Sequence, residues 1–538
     1  MAAVVSAGAF SQCYLREVPK DVQQPFIQAD TYLVGGELRK WEGETVDILS
    51  PILDAEGKKI KIGSYPMTGK KEALEALDAA NQAYNHGLGE WPSHSAQDRI
   101  RAVELFLEEL KKKRTEVINL LMWEICKNKG DATKEFDRTI DYINDTIVEV
   151  KALWNRNSLF TTTGGVLAQI RRVPLGVCVC LGPFNYPFNE TYTVLFPALL
   201  MGNTIVLKTP RTGCLCHMPT LDLFAKCFPA GVVNIIHGAG RTTLPPIMDT
   251  GKVDIFAFIG TSKAAVELQK IHPSPNRLRV CLGLDAKNPA IVCADADLTV
   301  AVSECVLGSL SFNGQRCTAL KILLVHESVV DAFVPKFCEA VDKLKIGLPW
   351  EGGVAITPLP EPHKPQYIRD VVADAVSKGA KVVNTRGGLM DSSIVAPTVI
   401  YPVTPDMRAY EEEQFGPLVP IATWRDVEDI YKFFRDTSYG QQASLFSEDP
   451  NKVSGLLDFL VNQVSRVNIN TQCQRGPDNL PFTGRKNSAC GTLSVSDALR
   501  VMSIRTVIAT KANHANQELL SDIMSARSSK YLRTDYMF

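Results

Sequence analysis

Four short β-prone runs recur at helix-length intervals between Val177 and Gly260: VCVCL (177–181), TIVLK (204–208), GVVNII (231–236) and DIFAFIG (254–260). Strands alternating with helices at this spacing imply βαβ units and a parallel, doubly wound sheet, where ligands bind beyond the carboxyl ends of the strands. A second α/β series follows Lys287, with PAIVC, KILLV, KVVN and PIAT as its strand candidates. At 538 residues the chain has room for about three domains, or two large ones.

The flanks read differently. Two amphipathic helices are expected early, Lys70 to Tyr84 and Ser95 to Lys113, the second opened by a capping box of Ser95 and Asp98. A third helical region, about 116 to 150, leads into 158–173, where Gly164 and Gly165 between β-prone stretches suggest a hairpin that leaves the core. The tail beyond Thr510 is polar.

Several function classes drop out. Lys plus Arg number 58 against 59 Asp plus Glu, so no overall field draws the chain to nucleic acid or acidic lipid. The longest uncharged stretches, 175–189 and 191–207, are separated by Glu190 and carry Pro, Asn or Gly, unlike a membrane span. The first fifteen residues lack the basic start and apolar core of an export signal, which leaves a cytoplasmic address as the expectation. Fourteen Cys with no CxxC pair and no His cluster fit reduced thiols, with no metal site expected.

One of those thiols stands apart. Phe312-Asn313-Gly314-Gln315-Arg316-Cys317 places a Cys beside a cation and after a Gly-containing turn, where a thiolate can be stabilised and presented; a buried structural thiol is the plainer alternative. Around it stand PFNYP (183–187), VLKTP (206–210), FIGTS (258–262), AKNPAIV (286–292), GQRCT (314–318) and EEQFGP (412–417). In these motifs, in this order, the chain resembles the aldehyde dehydrogenase superfamily from about Tyr32 to Ile508. NINTQCQRGPDNLPFTGRK (468–486) is similar to its NADP-dependent, non-phosphorylating glyceraldehyde-3-phosphate dehydrogenase branch.

The resemblance implies two doubly wound α/β domains plus a small β oligomerisation extension. Cofactor binding would fall to 1–154 and 174–286, oligomerisation to 155–173 and 487–510, and catalysis to 287–486, with 511–538 a tail of unknown role. It also implies a cytoplasmic homotetramer, a dimer of dimers, acting in glycolysis. Cys317 would attack the aldehyde carbon, and Asn185 with the Cys317 backbone N–H would hold the oxyanion. Lys208 and Thr209 would reach the cofactor ribose or phosphate, Gly260 with Thr261 or Ser262 the pyrophosphate, and Glu413 and Phe415 the nicotinamide ribose and ring. Arg211 stands where NAD-preferring members carry Glu, which favours NADP over NAD because a cation attracts the 2′-phosphate.

Two departures matter. Ala265 ends the GTSKAA stretch where a Gly is usual, and Gly283 replaces the Glu that activates the hydrolytic water; Asp285, two residues on, is the candidate replacement base. Tyr186, Arg316, Arg475 and, more remotely, Arg138 fall where donors for a substrate phosphate would stand. The expected reaction is irreversible NADP-dependent oxidation of glyceraldehyde 3-phosphate to 3-phosphoglycerate through a Cys thioester, without inorganic phosphate. The alternatives are another anionic-semialdehyde dehydrogenase, hydrolytic or acylating coenzyme A, and a non-catalytic relative acting as a binding or structural subunit.

Overall fold

The structure, a computed structural model, describes residues 8–532. Its first sheet has eight strands in the order 489–490, 279–283, 255–259, 177–181, 204–208, 233–236, 31–34 and 37–40. The five central strands run parallel, and the two at 31–40 and the one at 489–490 are antiparallel. Every residue of Val177–Leu181 and Thr204–Lys208 is buried. That is why these runs read as continuous apolar stretches instead of alternating ones: helices cover both faces. One face packs Ala73, Ala76, Leu77 and Ala80 of the Lys70–Tyr84 helix, the other an aromatic cluster with Phe106, Tyr192, Phe196 and Phe224.

The second sheet has seven strands in the order 381–382, 398–401, 418–424, 320–326, 288–292, 442–446 and 466–469, all parallel but the first. KVVN contributes only Lys381–Val382 at its edge. The hairpin forms as Phe160–Thr163 and Val166–Val173, and Ile504–Lys511 pairs antiparallel along the whole second strand.

The early helices form as the pattern predicts. Ala96–Lys112 is opened by Ser95, whose Oγ accepts from Asp98 N at 3.1 Å while Asp98 Oδ2 accepts from Ser95 N at 3.3 Å. The third helical region is two helices, Arg114–Ile125 and Lys129–Asn157, broken where Cys126 takes a left-handed φ of 52°. Two strands the pattern did not suggest, Thr45–Leu53 and Lys59–Pro66, pair beside them. The polar tail carries a helix, His514–Ser525; residues 533–538 lie outside the described ones.

Candidate active site

The sheet order reverses at Val177–Leu181, whose neighbours are the next strand in sequence on one side and Ile255–Ile259 on the other. At such a switch point the loops leaving adjacent strands diverge and open a crevice. Asn185 follows one of those strands, Gly260 follows another, and Lys208 and Gly283 are the last residues of two more. A cavity of about 360 Å³ opens there, lined by Asn185, Glu190, Gly260, Thr261, Gly283, Asp285, Cys317, Lys364, Glu413 and Phe415 among others.

Cys317 reaches this cavity on a contorted loop. Phe312, Asn313 and Gly314 have φ of 48°, 57° and 70°, three left-handed residues in succession. A Cβ on Gly314 would stand 2.7 Å from the carbonyl oxygens of both Gly416 and Ser309, so only Gly fits there. The Asn313 side chain fastens the loop, accepting from Thr357 N at 2.9 Å and donating to Thr357 Oγ1 at 3.1 Å. Eleven of the fourteen Cys are buried; Cys317 is half-buried and, with Cys227 and Cys490, makes up the remainder. Burial first, then the Glu190 carboxylate, push its thiol up to about 11, against the pull of Lys321 and Arg475.

Lys321, which the motif reading passed over, ties the loop to the opposite wall. Its ammonium donates to Arg316 O at 2.8 Å and Cys317 O at 2.7 Å and is ion-paired with Glu413 Oε1 at 3.0 Å. Glu413 also accepts from Ala286 N at 3.1 Å. Burial pushes its carboxyl up, and Lys321 opposes the shift. Lys287 braces the same wall by donating to Ala409 O, Glu412 O and Gln414 Oε1. Phe415, itself left-handed at φ 43°, meets Phe184 edge to face at 5.8 Å.

Asn185 is buried, and its Nδ2 donates to Gln315 O at 2.7 Å, which leaves one amide hydrogen uncommitted. The Cys317 backbone N–H donates to no protein group among the described residues. A second ammonium that the sequence did not single out, Lys127, donates to Asn185 O at 2.7 Å and lies over the Tyr186 ring at 3.4 Å. Its partner is Glu135, and both side chains are fully buried.

A second cavity, of about 390 Å³, lies beyond the strand ends and is lined by Lys208, Thr209, Gly240, Arg241, Phe258, Glu267 and others. Burial brings the Lys208 ammonium down to about 8, and no carboxylate is ion-paired with it among the described residues. Thr209 borders the cavity, but its hydroxyl is engaged with His237 Nδ1 at 2.8 Å. Arg211 is exposed and borders a neighbouring cavity with Glu124 and Glu361, whereas Arg241, absent from the motif reading, borders the Lys208 cavity directly.

Other expected site residues already hold partners. Asp285 lines the Cys317 cavity, but its Oδ2 accepts from Ser262 N at 2.7 Å, so a carboxylate occupies the start of the Ser262–Ile271 helix where Ser262 was expected to meet a pyrophosphate. Thr261 caps that helix, accepting from Ala264 N, and Ala265 is buried in its packing face. Arg316 donates to Gly308 O at 2.8 Å, Arg138 holds Asp478 through two hydrogen bonds at 2.7 and 2.6 Å, and Arg475 is ion-paired with Glu190. None of these three guanidinium groups, nor Tyr186, lines the Cys317 cavity. No group of His, Cys, Asp and Glu able to hold a metal exists among the described residues.

The aldehyde dehydrogenase family model matches residues 40–507. The chain belongs to the aldehyde dehydrogenase family. Its fold is that of the family, and it is an NAD(P)-dependent oxidoreductase of aldehydes. The dehydrogenase is 30% identical over 475 residues to the NADP-dependent glyceraldehyde-3-phosphate dehydrogenase of Streptococcus equinus, covering 87% of this chain and 96% of that one. It is 29% identical over 481 residues to the lactaldehyde dehydrogenase of Methanocaldococcus jannaschii, covering 88% and 99%. The solved NADP-dependent glyceraldehyde-3-phosphate dehydrogenase of Bacillus halodurans, complexed with NADP, superposes with a TM-score of 0.83 at 30% identity, covering 90% of this chain and 100% of that one. Among the described residues no helix is long and apolar enough to cross a membrane.

Proposed function

We propose that this dehydrogenase oxidises a small hydroxyaldehyde to its carboxylate with NADP, through a thioester on Cys317. Glyceraldehyde 3-phosphate, taken to 3-phosphoglycerate without inorganic phosphate, is the reading supported by the names of its relatives and by the QRGPD passage. The observation that carries the proposal is that Cys317, Asn185, Glu413 and Phe415 share one cavity at the switch point of the sheet.

The residues suit the cofactor. Lys208 is a buried ammonium with no carboxylate partner, a costly arrangement that a phosphate or ribose oxygen would relieve, and Arg211 and Arg241 stand nearby with no carboxylate partners among the described residues. Glu413 and Phe415 would hold the nicotinamide ribose and ring, and Gly260 and Thr261 would lie along the pyrophosphate. Bound NADP supplies the hydride acceptor.

The chain's own part follows from the geometry. Cys317 Sγ, once deprotonated, adds to the aldehyde carbon, and the carbonyl oxygen takes up the negative charge. The free Asn185 amide hydrogen and the free Cys317 N–H are the donors for that oxygen. Loss of hydride leaves a thioester, and water then cleaves it to the acid and restores the thiol. Gly283 offers no base for that water, and of the Asp285 carboxylate Oδ2 is engaged with Ser262 N, which leaves Oδ1 as the atom that could serve it.

Initial rates of NADPH formation with glyceraldehyde 3-phosphate, glyceraldehyde and lactaldehyde, each with NAD and NADP, test the proposal; no turnover with any of them removes it. A cytoplasmic homo-oligomer is part of the same proposal, supported by the exposed eight-residue strand Ile504–Lys511 at the rim of the hairpin sheet. Light scattering on the eluting protein reads the oligomer.

A further inference from the structure

Glu190 takes no part in forming or cleaving the thioester. It lies in the first turn of the Asn189–Leu200 helix, is 7% exposed, and lines the cavity beside Asn185 and Cys317. One carboxylate oxygen, Oε2, is ion-paired with Arg475 Nη1. The other, Oε1, accepts from no protein donor among the described residues. The carboxylate is also close enough to the sulfur that its charge is the second cause, after burial, of the raised Cys317 thiol.

Arg475 is buried among groups of the protein itself. Its Nε stands 3.6 Å from Asp478 Oδ1, its Nη2 donates to Leu493 O at 3.5 Å, and the Phe482 ring covers it at 4.9 Å. Asp478 is in turn clasped by Arg138. Glu190, Arg475, Asp478 and Arg138 therefore form a closed row of two carboxylates and two guanidinium groups with no net charge. The member of that row that lines the cavity is Glu190; Arg475, Asp478 and Arg138 do not line it. Of the charged residues lining the cavity, four are carboxylates, Glu190, Asp285, Glu361 and Glu413, and one is a cation, Lys364.

A phosphate dianion entering at the Cys317 end meets Glu190 before it can reach Arg475, and like charges at short range in a poorly hydrated site repel strongly. A neutral hydroxyl there can donate to the free Oε1, a charge-assisted hydrogen bond. We propose that Glu190 makes this pocket selective for an uncharged hydroxyaldehyde and closes the arginine site to a phosphorylated one. This rests on the dehydrogenase reading and narrows its aldehyde. It sets the site geometry against the phosphorylated substrate that the relatives' names carry.

Three measurements decide it. In the wild-type enzyme, kcat/KM for glyceraldehyde should exceed that for glyceraldehyde 3-phosphate by about tenfold or more, and Glu190→Gln should move the ratio toward the phosphorylated aldehyde by at least about tenfold. Calorimetry with glycerol 3-phosphate, which needs no turnover, should show no binding to wild type and binding to Glu190→Gln. Should Glu190→Gln fail to fold because buried Arg475 loses one of its two carboxylates, Glu190→Gln/Arg475→Met removes both charges. That double variant should lose the wild-type preference for glyceraldehyde over propanal, which has no hydroxyl to donate. A wild-type preference for glyceraldehyde 3-phosphate, equal binding of glycerol 3-phosphate by wild type and Glu190→Gln, or a double variant that still prefers glyceraldehyde each overturns the proposal. Absence of NADPH from every aldehyde would remove the dehydrogenase reading instead, and the calorimetry would still report on Glu190.

Discussion

Replacing Lys127 by Met should damage this enzyme more than any other single change outside the chemical residues. The Lys127 ammonium is ion-paired with Glu135, donates to Asn185 O, and sits over the rings of Tyr186 and Phe312 at 3.4 and 4.5 Å. Glu135 in turn accepts from Phe188 N at 3.0 Å and Asn189 N at 3.2 Å. One ammonium and one carboxylate thus pin both sides of the turn that carries Asn185. Both side chains have zero exposure, so Lys127→Met strands the Glu135 charge in the interior. Breaking a buried pair from one side costs about 3–5 kcal/mol. At about 1.4 kcal/mol per power of ten, that is roughly a 10²- to 10³·⁵-fold loss in the folded-to-unfolded ratio. In Lys127→Met/Glu135→Gln the amide oxygen can still accept from Phe188 and Asn189 while no charge is left unpaired, so about half the loss or more should return. Urea unfolding followed by tryptophan fluorescence reads this directly, because buried Trp123 lies at the end of the helix that leads into Lys127. A Lys127→Met enzyme within about 1 kcal/mol of wild type, or a double variant no more stable than the single, would refute the reasoning.

Cys317→Ser should abolish NADPH formation while leaving NADP binding intact, as read by fluorescence titration; appreciable residual turnover would assign the nucleophile elsewhere. With its thiol pushed up to about 11, Cys317 in the cofactor-free enzyme should be about one part in 10⁴ thiolate at pH 7. Its iodoacetamide rate should therefore climb about tenfold per pH unit toward 11, and a plateau near pH 8 would contradict this. Arg211→Glu should weaken NADP by about 1–3 kcal/mol and move preference toward NAD; an unchanged ratio would transfer the 2′-phosphate to Arg241. Asp285→Asn should keep its steady-state rate within about tenfold, because the carboxylate serves Ser262 N; a preserved first-turnover burst with a fall of 10²–10⁴ would restore it as the base.

The sheets were legible because their central strands are buried on both faces. VCVCL and TIVLK are continuous apolar runs of the length of a strand, and they form over the same residues. Ala489–Cys490 was not legible, since two residues carry no period, and it pairs with Leu282 and Gly283 from two hundred residues away. The Cys317 cavity was legible through its motifs, which fall on loops that leave strands of the first sheet, as PFNYP and FIGTS do, or enter strands of the second, as GQRCT and EEQFGP do. The ionic scaffold around it was not. Lys127 and Glu135 sit in a charge-rich stretch, EICKNKGDATKEFDR, that reads as a solvated surface; burial inverts their meaning. Glu190 did leave a signal, as the single charge interrupting an uncharged run, but only its approach to Arg475 gives that charge a role. The motifs present Arg475 and Arg138 without their partners, Glu190 and Asp478, because groups brought together by folding are invisible in a motif.

The late return of the chain to its first sheet bears on how the protein is made. Gly283 ends a strand whose outer neighbour, Ala489–Cys490, is translated about two hundred residues afterwards. Phe482, Leu493, Leu499 and Met502 enter the same core and arrive just as late. At about 5–20 residues per second the ribosome needs on the order of 10–40 s to deliver them. For that interval the nascent amino-terminal half carries an open strand edge and an uncapped apolar face. Those are the surfaces on which a chaperone, or a neighbouring nascent chain, would act.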